Sequence, residues 1–561
     1  MLTPYGEIPD RLATGMSLAE QHEWLAVRAS RRAFLRGLVL AGASTSPLLW
    51  QRSARAAAGI RIAGHLVVPG TDPRREMTIG IAVPDEFRGG RVEAVPAAGS
   101  GGTAAGLEVQ MVRASTLRYA RAGLTGLQPD AEYVYRVLLD GVMASTGRFR
   151  TAPSAAAGFR FTAFGDQGVG SVSRSLLVRL RQLRPALHLV AGDICYANQN
   201  GTGGPGDFWP RLWDAWLAQN DPVARSVPFL CTLGNHEMEP GFPTHGYAGV
   251  LARLPMPGVS PIECPASWAV RYGTVGFVGL DSNDVSHELP RNRGYSGGAQ
   301  RDWLEQVLAG FRAEDSGVEH VVVVLHHSPY STNEAHASEG GVREQWCPLF
   351  DRYQVDVVVA GHNHCYERTR PLRAGRVVGL ADDLADGTAG TTYVTAGGGG
   401  AESTPRFIQE GLSRVFTADG RLVEAVDWSV PTRTGSHAVL VADVSPAGRL
   451  GATSTMTLHA VGAQGELLDS VVITRPSTVP TAVPDEDGRW STRSLVLTGA
   501  ATTAAVGGVV GAAALRRRAA ARPPSWPEVP PSRVSVRPLL ETTDTESPLD
   551  GLHRPPGAGR P

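Results

Sequence analysis

The 561-residue sequence contains no lysine, so every fixed side-chain cation is an arginine. Its 53 basic and 54 acidic residues almost cancel, which leaves a formal net charge of −1. Nucleic-acid binding needs a basic face, so this balance argues against it as the main activity. The lack of lysine, together with 66 glycines, is best explained by the coding bias of a GC-rich genome.

Cysteine is also scarce, with five residues in the whole chain. The number is odd and no pair has Cys-x-x-Cys spacing, so neither a zinc knuckle nor a dense disulfide framework is supported. One or two disulfides after export remain open, and no pairing is predicted. The five are Cys195, Cys231, Cys264, Cys347 and Cys365.

The chain is too long for one ordinary core, so two or more domains are expected. With 42% hydrophobic and 19% charged residues, its composition is that of a globular protein.

Near the start, paired Arg31 and Arg32 precede a modest apolar stretch and an Ala-x-Ala site near residue 56 or 58. This pattern resembles a twin-arginine export signal over residues 1–58, the alternative being an amphipathic helix with chance arginines.

A second apolar segment, residues 495–515, is about long enough to cross a bilayer as a helix. Three arginines follow it at once and place the C-terminus inside the cell. A buried helix or an alanine-rich linker is the alternative. We therefore expect a single-pass protein on the extracytoplasmic face of the cell membrane, with a linker at 476–494 and a disordered cytoplasmic tail at 516–561.

Residues 60–152 alternate apolar and polar positions between glycines and prolines, which predicts an all-β domain. Tyr133, Tyr135 and Val137 share one face of a predicted strand. The turn Leu127-Gln128-Pro129 precedes this strand, and a tyrosine four residues after the proline is typical of the tyrosine corner of a Greek-key sandwich. The region resembles a fibronectin type III domain, for which we expect the role of a spacer or a wall of the site.

Residues 158–475 have a different pattern, because short Val- and Leu-rich runs alternate with helical stretches. Buried strands that alternate with helices indicate a layered α/β domain. The ligand site of such a domain lies beyond the carboxyl ends of its strands. Polar residues stand at those predicted strand ends, namely Asp166, Asp193, Tyr196, Asn235, His236, His327, His362 and His364.

Each of these residues is weak evidence for a metal site by itself, since a Gly-Asp at a strand end is often only a turn. Together they bring carboxylate, imidazole, amide and phenol groups, but no thiolate, to one edge of a sheet. This set suits hard or borderline ions such as iron, manganese or zinc. Without His236, seven of these residues are candidate ligands, which is too many for one tetrahedral zinc, so the sequence predicts two ions that share a carboxylate.

The ordered motifs GDQG, GDICY, GNHE, HSPY and GHNHCYER resemble those of the calcineurin-like metallophosphoesterases, and Tyr196 resembles the purple acid phosphatase branch. The resemblance implies a multidomain protein with a fibronectin III-like sandwich followed by a four-layer α/β metallophosphoesterase domain. The apolar segment adds the predicted C-terminal transmembrane helix. The resemblance also implies a first ion, Fe(III), held by Asp166, Asp193, Tyr196 and His364. A second, divalent ion of iron, zinc or manganese would be held by Asp193, Asn235, His327 and His362.

In the family the ligand stands two residues before the proline of HSPY, so the resemblance implies His327 rather than His326 as the ligand. The same resemblance places His236 and His336 against the substrate phosphate as catalytic residues. The expected reaction is hydrolysis of small phosphate esters, most of all phosphomonoesters, by a metal-bridged hydroxide. Alternatives are a phosphodiesterase with two divalent ions and a surface-anchored binding protein with a vestigial site. No nucleic-acid partner is expected, and the oligomeric state is open.

Overall fold

The computed structural model describes residues 60–477 apart from short gaps at 85, 99–100, 111, 113–114, 155, 205–207, 241–244, 259, 261, 263, 265, 380 and 448–451. Elsewhere it describes only two pairs of two-residue strands, Leu2–Thr3 with Gly6–Glu7 and Val483–Pro484 with Trp490–Ser491. Apart from these strands, the predicted export signal, the predicted membrane span and the tail lie outside the described residues. None of the helices in the described part is long and apolar enough to cross a membrane.

The first region is a sandwich of two four-stranded antiparallel sheets. Its strands are β1 (Gly64–Pro69), β2 (Met77–Val83), β3 (Gly90–Pro96), β4 (Thr103–Gly106), β5 (Glu108–Gln110), β6 (Arg118–Leu124), β7 (Glu132–Leu139) and β8 (Val142–Arg150). One sheet has the order β1-β2-β6-β5 and the other β8-β7-β3-β4. This is the strand arrangement of an immunoglobulin-like Greek key.

Strand β7 shows why this sequence forms a sandwich. Tyr133, Tyr135 and Val137 are buried, as their alternation predicts, and they pack into the core between the sheets. The hydroxyl of Tyr133 accepts a hydrogen bond of 2.9 Å from the backbone N–H of Gln128. The hydrogen bond of the predicted tyrosine corner is therefore present, and it fixes the turn that leads into β7.

The second region contains two seven-stranded mixed sheets. Its strands are β9 (Phe159–Phe164), β10 (Leu187–Ala191), β11 (Phe229–Thr232), β12 (Trp268–Tyr272), β13 (Val275–Gly279), β14 (His320–Val324), β15 (Ser338–Glu339), β16 (Val357–Ala360), β17 (Tyr366–Thr369), β18 (Leu372–Arg373), β19 (Arg376–Val377), β20 (Leu384–Asp386), β21 (Thr392–Ala396), β22 (Leu412–Thr417), β23 (Gly420–Ala425), β24 (Ser429–Thr434), β25 (Ala438–Ser445), β26 (Thr453–Gly462) and β27 (Leu467–Pro476). One sheet has the order β11-β10-β9-β25-β26-β27-β20, and the other β12-β13-β14-β16-β21-β17-β24.

The two sheets pack face to face, with helices on both outer faces. The helices are α1 (Ser171–Leu183), α2 (Arg211–Ala224), α3 (Ala248–Arg253), α4 (Ala299–Phe311), α5 (Gly340–Gln345) and α6 (Cys347–Arg352). Phe161 of one sheet meets Phe277 of the other edge to face, with ring centroids 5.1 Å apart. The result is a four-layer α/β/β/α arrangement, and because its central strands are covered on both faces their sequences are continuously apolar.

The sandwich rests on helix α2 through buried polar contacts. The hydroxyl of Tyr119 donates to Asp214, and His65 lies 2.6 Å from the carboxylate of Asp221. On the inner side of the same helix, Trp213 and Trp216 are fully buried in the core. All five cysteines lie in the described part of the chain, and each is buried and unpaired.

Candidate metal centre

The predicted ligands follow strands that run parallel within their sheets. In the first sheet, Asp166 follows β9, Asp193 follows β10 and Asn235 follows β11, which are parallel to one another. In the second sheet, the two histidines at 326–327 follow β14 and His362 follows β16, its parallel neighbour. The carboxyl ends of both groups of strands therefore meet at one edge of the fold, where ligands bind in layered α/β proteins.

The first cluster contains Asp166, Tyr196 and His364. The hydroxyl of Tyr196 lies 2.9 Å from Nε2 of His364 and 3.3 Å from Oδ1 of Asp166. Nε2 of His364 lies 3.4 Å from the same carboxylate oxygen. Asp193 approaches closely enough that Asp166, Asp193 and His364 could hold one ion together. The structure thus brings together the four residues predicted for the first ion.

The second cluster is centred on His326. Its Nε2 lies 3.2 Å from Oδ2 of Asp193, 3.2 Å from Oδ1 of Asn235 and 3.2 Å from Nδ1 of His362. Asp193, His326 and His362 are buried and form a second group able to hold an ion. Asp193 belongs to both groups, as expected for a bridging ligand.

The geometry places His326 rather than His327 in this cluster, so the predicted ligand role of His327 stays a prediction. Nδ1 of His327 is 2.8 Å from the hydroxyl of Ser282, and its buried Nε2 has no hydrogen-bond partner among the residues that the structure describes. The reason is strand parity, since alternate residues of a strand point to opposite faces. Val322 and Val324 pack into the core that contains both sheets, whereas Val321 and Val323 pack on the outer face. His326 continues the inward series, whereas His327 lies beside His362, with ring centroids 4.3 Å apart.

The electrostatics of the second cluster favour a cation. Burial lowers the pKa of His326, but the carboxylates of Asp193 and Asp166 outweigh it and raise this pKa to about 10. Burial in turn raises the pKa of Asp193, yet His326 and His236 hold it well below its usual range. Two ring nitrogens that face each other at 3.2 Å need a proton or a metal ion between them. The donor set therefore fits a pair of metal ions.

Several of these residues adopt a left-handed backbone conformation. Asp166 has φ +59°, Asp193 +48°, Tyr196 +58° and His362 +69°. Such conformations are unfavourable for residues other than glycine, by about 1–3 kcal/mol each, and they cluster at functional sites. The strained positions therefore coincide with the candidate metal centre.

Glu237 holds the strained segment around Asp193 in place, and the sequence analysis did not single it out. Its buried carboxylate accepts hydrogen bonds from the backbone N–H groups of Asp193, Ile194 and Gly234, at 2.8–2.9 Å. It thereby joins two neighbouring loops of the first sheet. The only available signal was an acidic residue directly after Asn-His, and the partners of such a residue cannot be read from sequence.

Two glycines in the motifs are required by close approach to the carboxylates. A Cβ on Gly234 would lie 2.1 Å from Oδ1 of Asp193, and one on Gly361 would lie 2.4 Å from Oδ2 of Asp166. Any larger residue would displace a predicted ligand. The glycines of GNHE and GHNH are therefore part of the centre.

Comparison with known proteins agrees with this geometry. Residues 159–366 match the calcineurin-like phosphoesterase family. An uncharacterized protein of Mycobacterium tuberculosis is 33% identical over 411 residues, which cover 64% of this chain and 76% of that protein. The chain belongs to the calcineurin-like phosphoesterase family.

Purple acid phosphatases are among the relatives of this phosphoesterase. Purple acid phosphatase 23 of Arabidopsis thaliana is 28% identical over 304 residues, which cover 49% of this chain and 61% of that protein. The structure of a purple acid phosphatase from yellow lupin seeds has a TM-score of 0.59 at 20% identity and covers 74% of this chain and 75% of that chain, a likeness of fold. These relatives identify a hydrolase of phosphate esters and imply a dinuclear metal centre.

On the open side of the phosphoesterase centre lie His236 and His336. Nδ1 of His236 is hydrogen-bonded to the backbone carbonyl of Asn198, which leaves Nε2 3.8 Å from Oδ2 of Asp193. The ring of His336 lies against that of His362, with centroids 4.0 Å apart, and its Nδ1 is 2.9 Å from Glu288. Glu288 also contacts His362 and was missed by the sequence analysis.

The choice between the two adjacent histidines can be tested directly. We expect His326→Asn to weaken binding of the second ion more than about 100-fold, because even partners behind the ligands are typically worth 10–100-fold in metal affinity. His327→Asn should leave both ions bound, since its side chain faces Ser282. Competition with a chelator of known affinity measures the effect. Loss of an ion in His327→Asn but not in His326→Asn would restore the original assignment.

Proposed function

We propose that this phosphoesterase hydrolyses small phosphomonoesters at a centre of one ferric and one divalent ion, the latter iron, zinc or manganese. The observation that carries the proposal is the position of Tyr196, whose hydroxyl is 2.9 Å from Nε2 of His364 and 3.3 Å from Asp166. Burial raises the pKa of the Tyr196 phenol well above its usual value. A phenolate at this position therefore needs a strongly charged cation beside it.

The ions supply the central chemistry when bound, because a pair of metal ions lowers the pKa of a water molecule and neutralises phosphate oxygens. The protein supplies the arrangement. Asp193 is held between the two clusters by the backbone N–H of His236, which donates to its Oδ1 at 3.1 Å. The backbone N–H of His362 donates to both oxygens of Asp166, at 3.1 and 2.9 Å. Both carboxylates are thus oriented before substrate arrives.

The substrate phosphate is proposed to lie between His236 and His336. His236 packs on Tyr196, with ring centroids 4.3 Å apart, and its carbonyl contact directs Nε2 towards the clusters. A protonated Nε2 there can donate to an equatorial phosphate oxygen or to the leaving alcohol. His336 can take the same part from the opposite side of the cluster.

The preference for monoesters is tested with two substrates. Hydrolysis of 4-nitrophenyl phosphate and of bis(4-nitrophenyl) phosphate is compared from pH 4 to pH 9. The proposal predicts the higher kcat/KM for the monoester, with its optimum on the acidic side. Faster cleavage of the diester at neutral or alkaline pH would instead identify a phosphodiesterase with two divalent ions.

The ferric assignment makes a spectroscopic prediction. The iron-loaded protein should show a visible absorption band from the Tyr196 phenolate, and Tyr196→Phe should abolish this band while keeping the volume of the side chain. A visible spectrum of the purified protein, before and after the substitution, is the measurement. A colourless, iron-free protein that still hydrolyses phosphate esters would contradict the ferric assignment but not the phosphoesterase activity.

A further inference from the structure

The segment after β13 places an acidic residue, Glu288, beside the metal centre. A neighbouring carboxylate, that of Glu339, fixes this segment. It accepts hydrogen bonds from the hydroxyl of Ser286 at 2.9 Å, from the backbone N–H of His287 at 2.8 Å and from that of Glu288 at 3.2 Å. The backbone of Glu288 is therefore held in place without any help from its own side chain.

The side chain of Glu288 joins two histidines. One carboxylate oxygen is 2.8 Å from Nε2 of His362, and the other is 2.9 Å from Nδ1 of His336. The carboxylate is largely buried, with 14% of its side chain exposed, and His362 has 3% exposed. It is therefore shielded from the solvent that makes most surface ion pairs weak.

This contact determines which nitrogen of His362 can bind a metal ion. Glu288 offers Nε2 of His362 a carboxylate oxygen as acceptor, so we assign the hydrogen to this nitrogen. Nδ1 is then the unprotonated nitrogen, and it is the one that faces Nε2 of His326 at 3.2 Å. Carboxylates that hold metal-binding histidines in this way fix the ring and increase its basicity.

We propose that Glu288 is a positioning residue of the phosphoesterase centre. Its carboxylate presents Nδ1 of His362 to the second ion and Nε2 of His336 to the substrate. The inference rests on the dinuclear centre of the proposed function. It adds one carboxylate, that of Glu288, which contacts both the metal-binding His362 and the substrate-facing His336 and so links their positions.

The first test is the affinity of the full-length protein for metal ions. Glu288→Gln keeps the size of the side chain. The amide has one acceptor oxygen, whereas the imidazoles of His362 and His336 each need one. We expect one of the two ions to bind 10–100-fold more weakly, measured by competition with a chelator. The matched control is Glu344→Gln, because Glu344 contacts His287 at 3.1 Å with 54% of its side chain exposed. This control should bind both ions as the unaltered protein does.

The second test separates the two histidines and is made at saturating metal. At saturating metal the second ion stays bound even to Glu288→Gln, so any remaining loss of activity comes from His336. We expect Glu288→Gln to lower kcat roughly 10-fold under this condition. In a His336→Asn background the same substitution should have less than about a two-fold effect, because residues that act through one another are not additive. Equal effects in both backgrounds would overturn the link to His336.

Two further outcomes would overturn the proposal. Unchanged affinity for both ions in Glu288→Gln would show that the carboxylate does not position His362. Three ions in the unaltered protein and two in Glu288→Gln would make Glu288 itself a metal ligand. If the unaltered protein bound no ions and cleaved no phosphoester, the proposed function would fail as well. That result differs from the first two, in which the unaltered protein stays active.

Discussion

Asp193→Asn is expected to release both metal ions and to lower kcat for phosphoester hydrolysis by at least about 10³-fold. The two clusters share this residue, and its Oδ2 is 3.2 Å from Nε2 of His326. A neutral amide in its place removes the negative charge that both ions need. Metal ions contribute several kcal/mol to such reactions, and each 1.36 kcal/mol corresponds to a factor of ten.

The substitution should leave the fold intact, which makes the result interpretable. Asparagine has the size of aspartate, and the backbone N–H of residue 193 keeps its hydrogen bond to Glu237. Metal content by mass spectrometry and hydrolysis of 4-nitrophenyl phosphate are measured on the same sample. The control is Asp302→Asn on helix α4, where 74% of the side chain is exposed. An Asp193→Asn protein with normal activity would remove the bridging role.

The second large effect is expected on stability, at Asp356. Its fully buried carboxylate accepts hydrogen bonds from Arg475 at 2.8 Å, from Arg312 at 2.7 Å and from the backbone N–H of Val321 at 2.8 Å. Removing one partner of a buried ion pair leaves an uncompensated charge, at a cost of about 3–5 kcal/mol. Asp356→Ala should therefore lower the free energy of unfolding by about that amount, because the buried Arg475 and the partly buried Arg312 lose their carboxylate.

Asp356 also predicts a pH dependence. Burial raises the pKa of this carboxyl, but Arg475 and Arg312 outweigh burial and hold it below its usual value of 3.8. Since the pKa is lowered by folding, the carboxylate contributes its full stability above the unfolded value and loses it as the pH falls towards the folded value. The protein should thus lose stability below about pH 4, and Asp356→Ala should lack this component.

Urea denaturation between pH 3 and pH 7 measures both effects. The control is Glu108→Ala, because Glu108 pairs with Arg121 on the surface and 71% of its side chain is exposed. Exposed pairs contribute about 0–1 kcal/mol, so the control should be nearly neutral. Equal effects of the two substitutions would show that the buried pair has no special role.

The convergence of the candidate ligands could be predicted because most of them follow parallel strands, whereas their roles as metal ligands stay a prediction. Strand ends at Phe164, Ala191 and Ala360 could be recognised from Val- and Leu-rich runs, and such ends meet at one edge of a sheet. The tyrosine corner at Tyr133 was predictable for a similar reason, since it depends on a local turn. In both cases the deciding interaction is local or follows from the sheet itself.

The remaining features depend on contacts that sequence spacing does not show. His326 and His327 are chemically equivalent in sequence, and only the pairing of β14 determines which one faces Asp193. Glu288 reaches its position because Glu339, far along the chain, fixes its backbone. The buried pair of Asp356 and Arg475 joins residues 119 positions apart. These are long-range contacts, and one sequence alone does not reveal them.

The most direct test of the dinuclear centre is a metal titration of the metal-free protein in which hydrolysis of 4-nitrophenyl phosphate is followed at each step. The titration is made with the divalent ion alone and with Fe(III) followed by the divalent ion. Our account predicts no activity without metal and full activity at two ions per chain. Full activity in the metal-free protein, or a plateau reached with a single ion per chain, would contradict it.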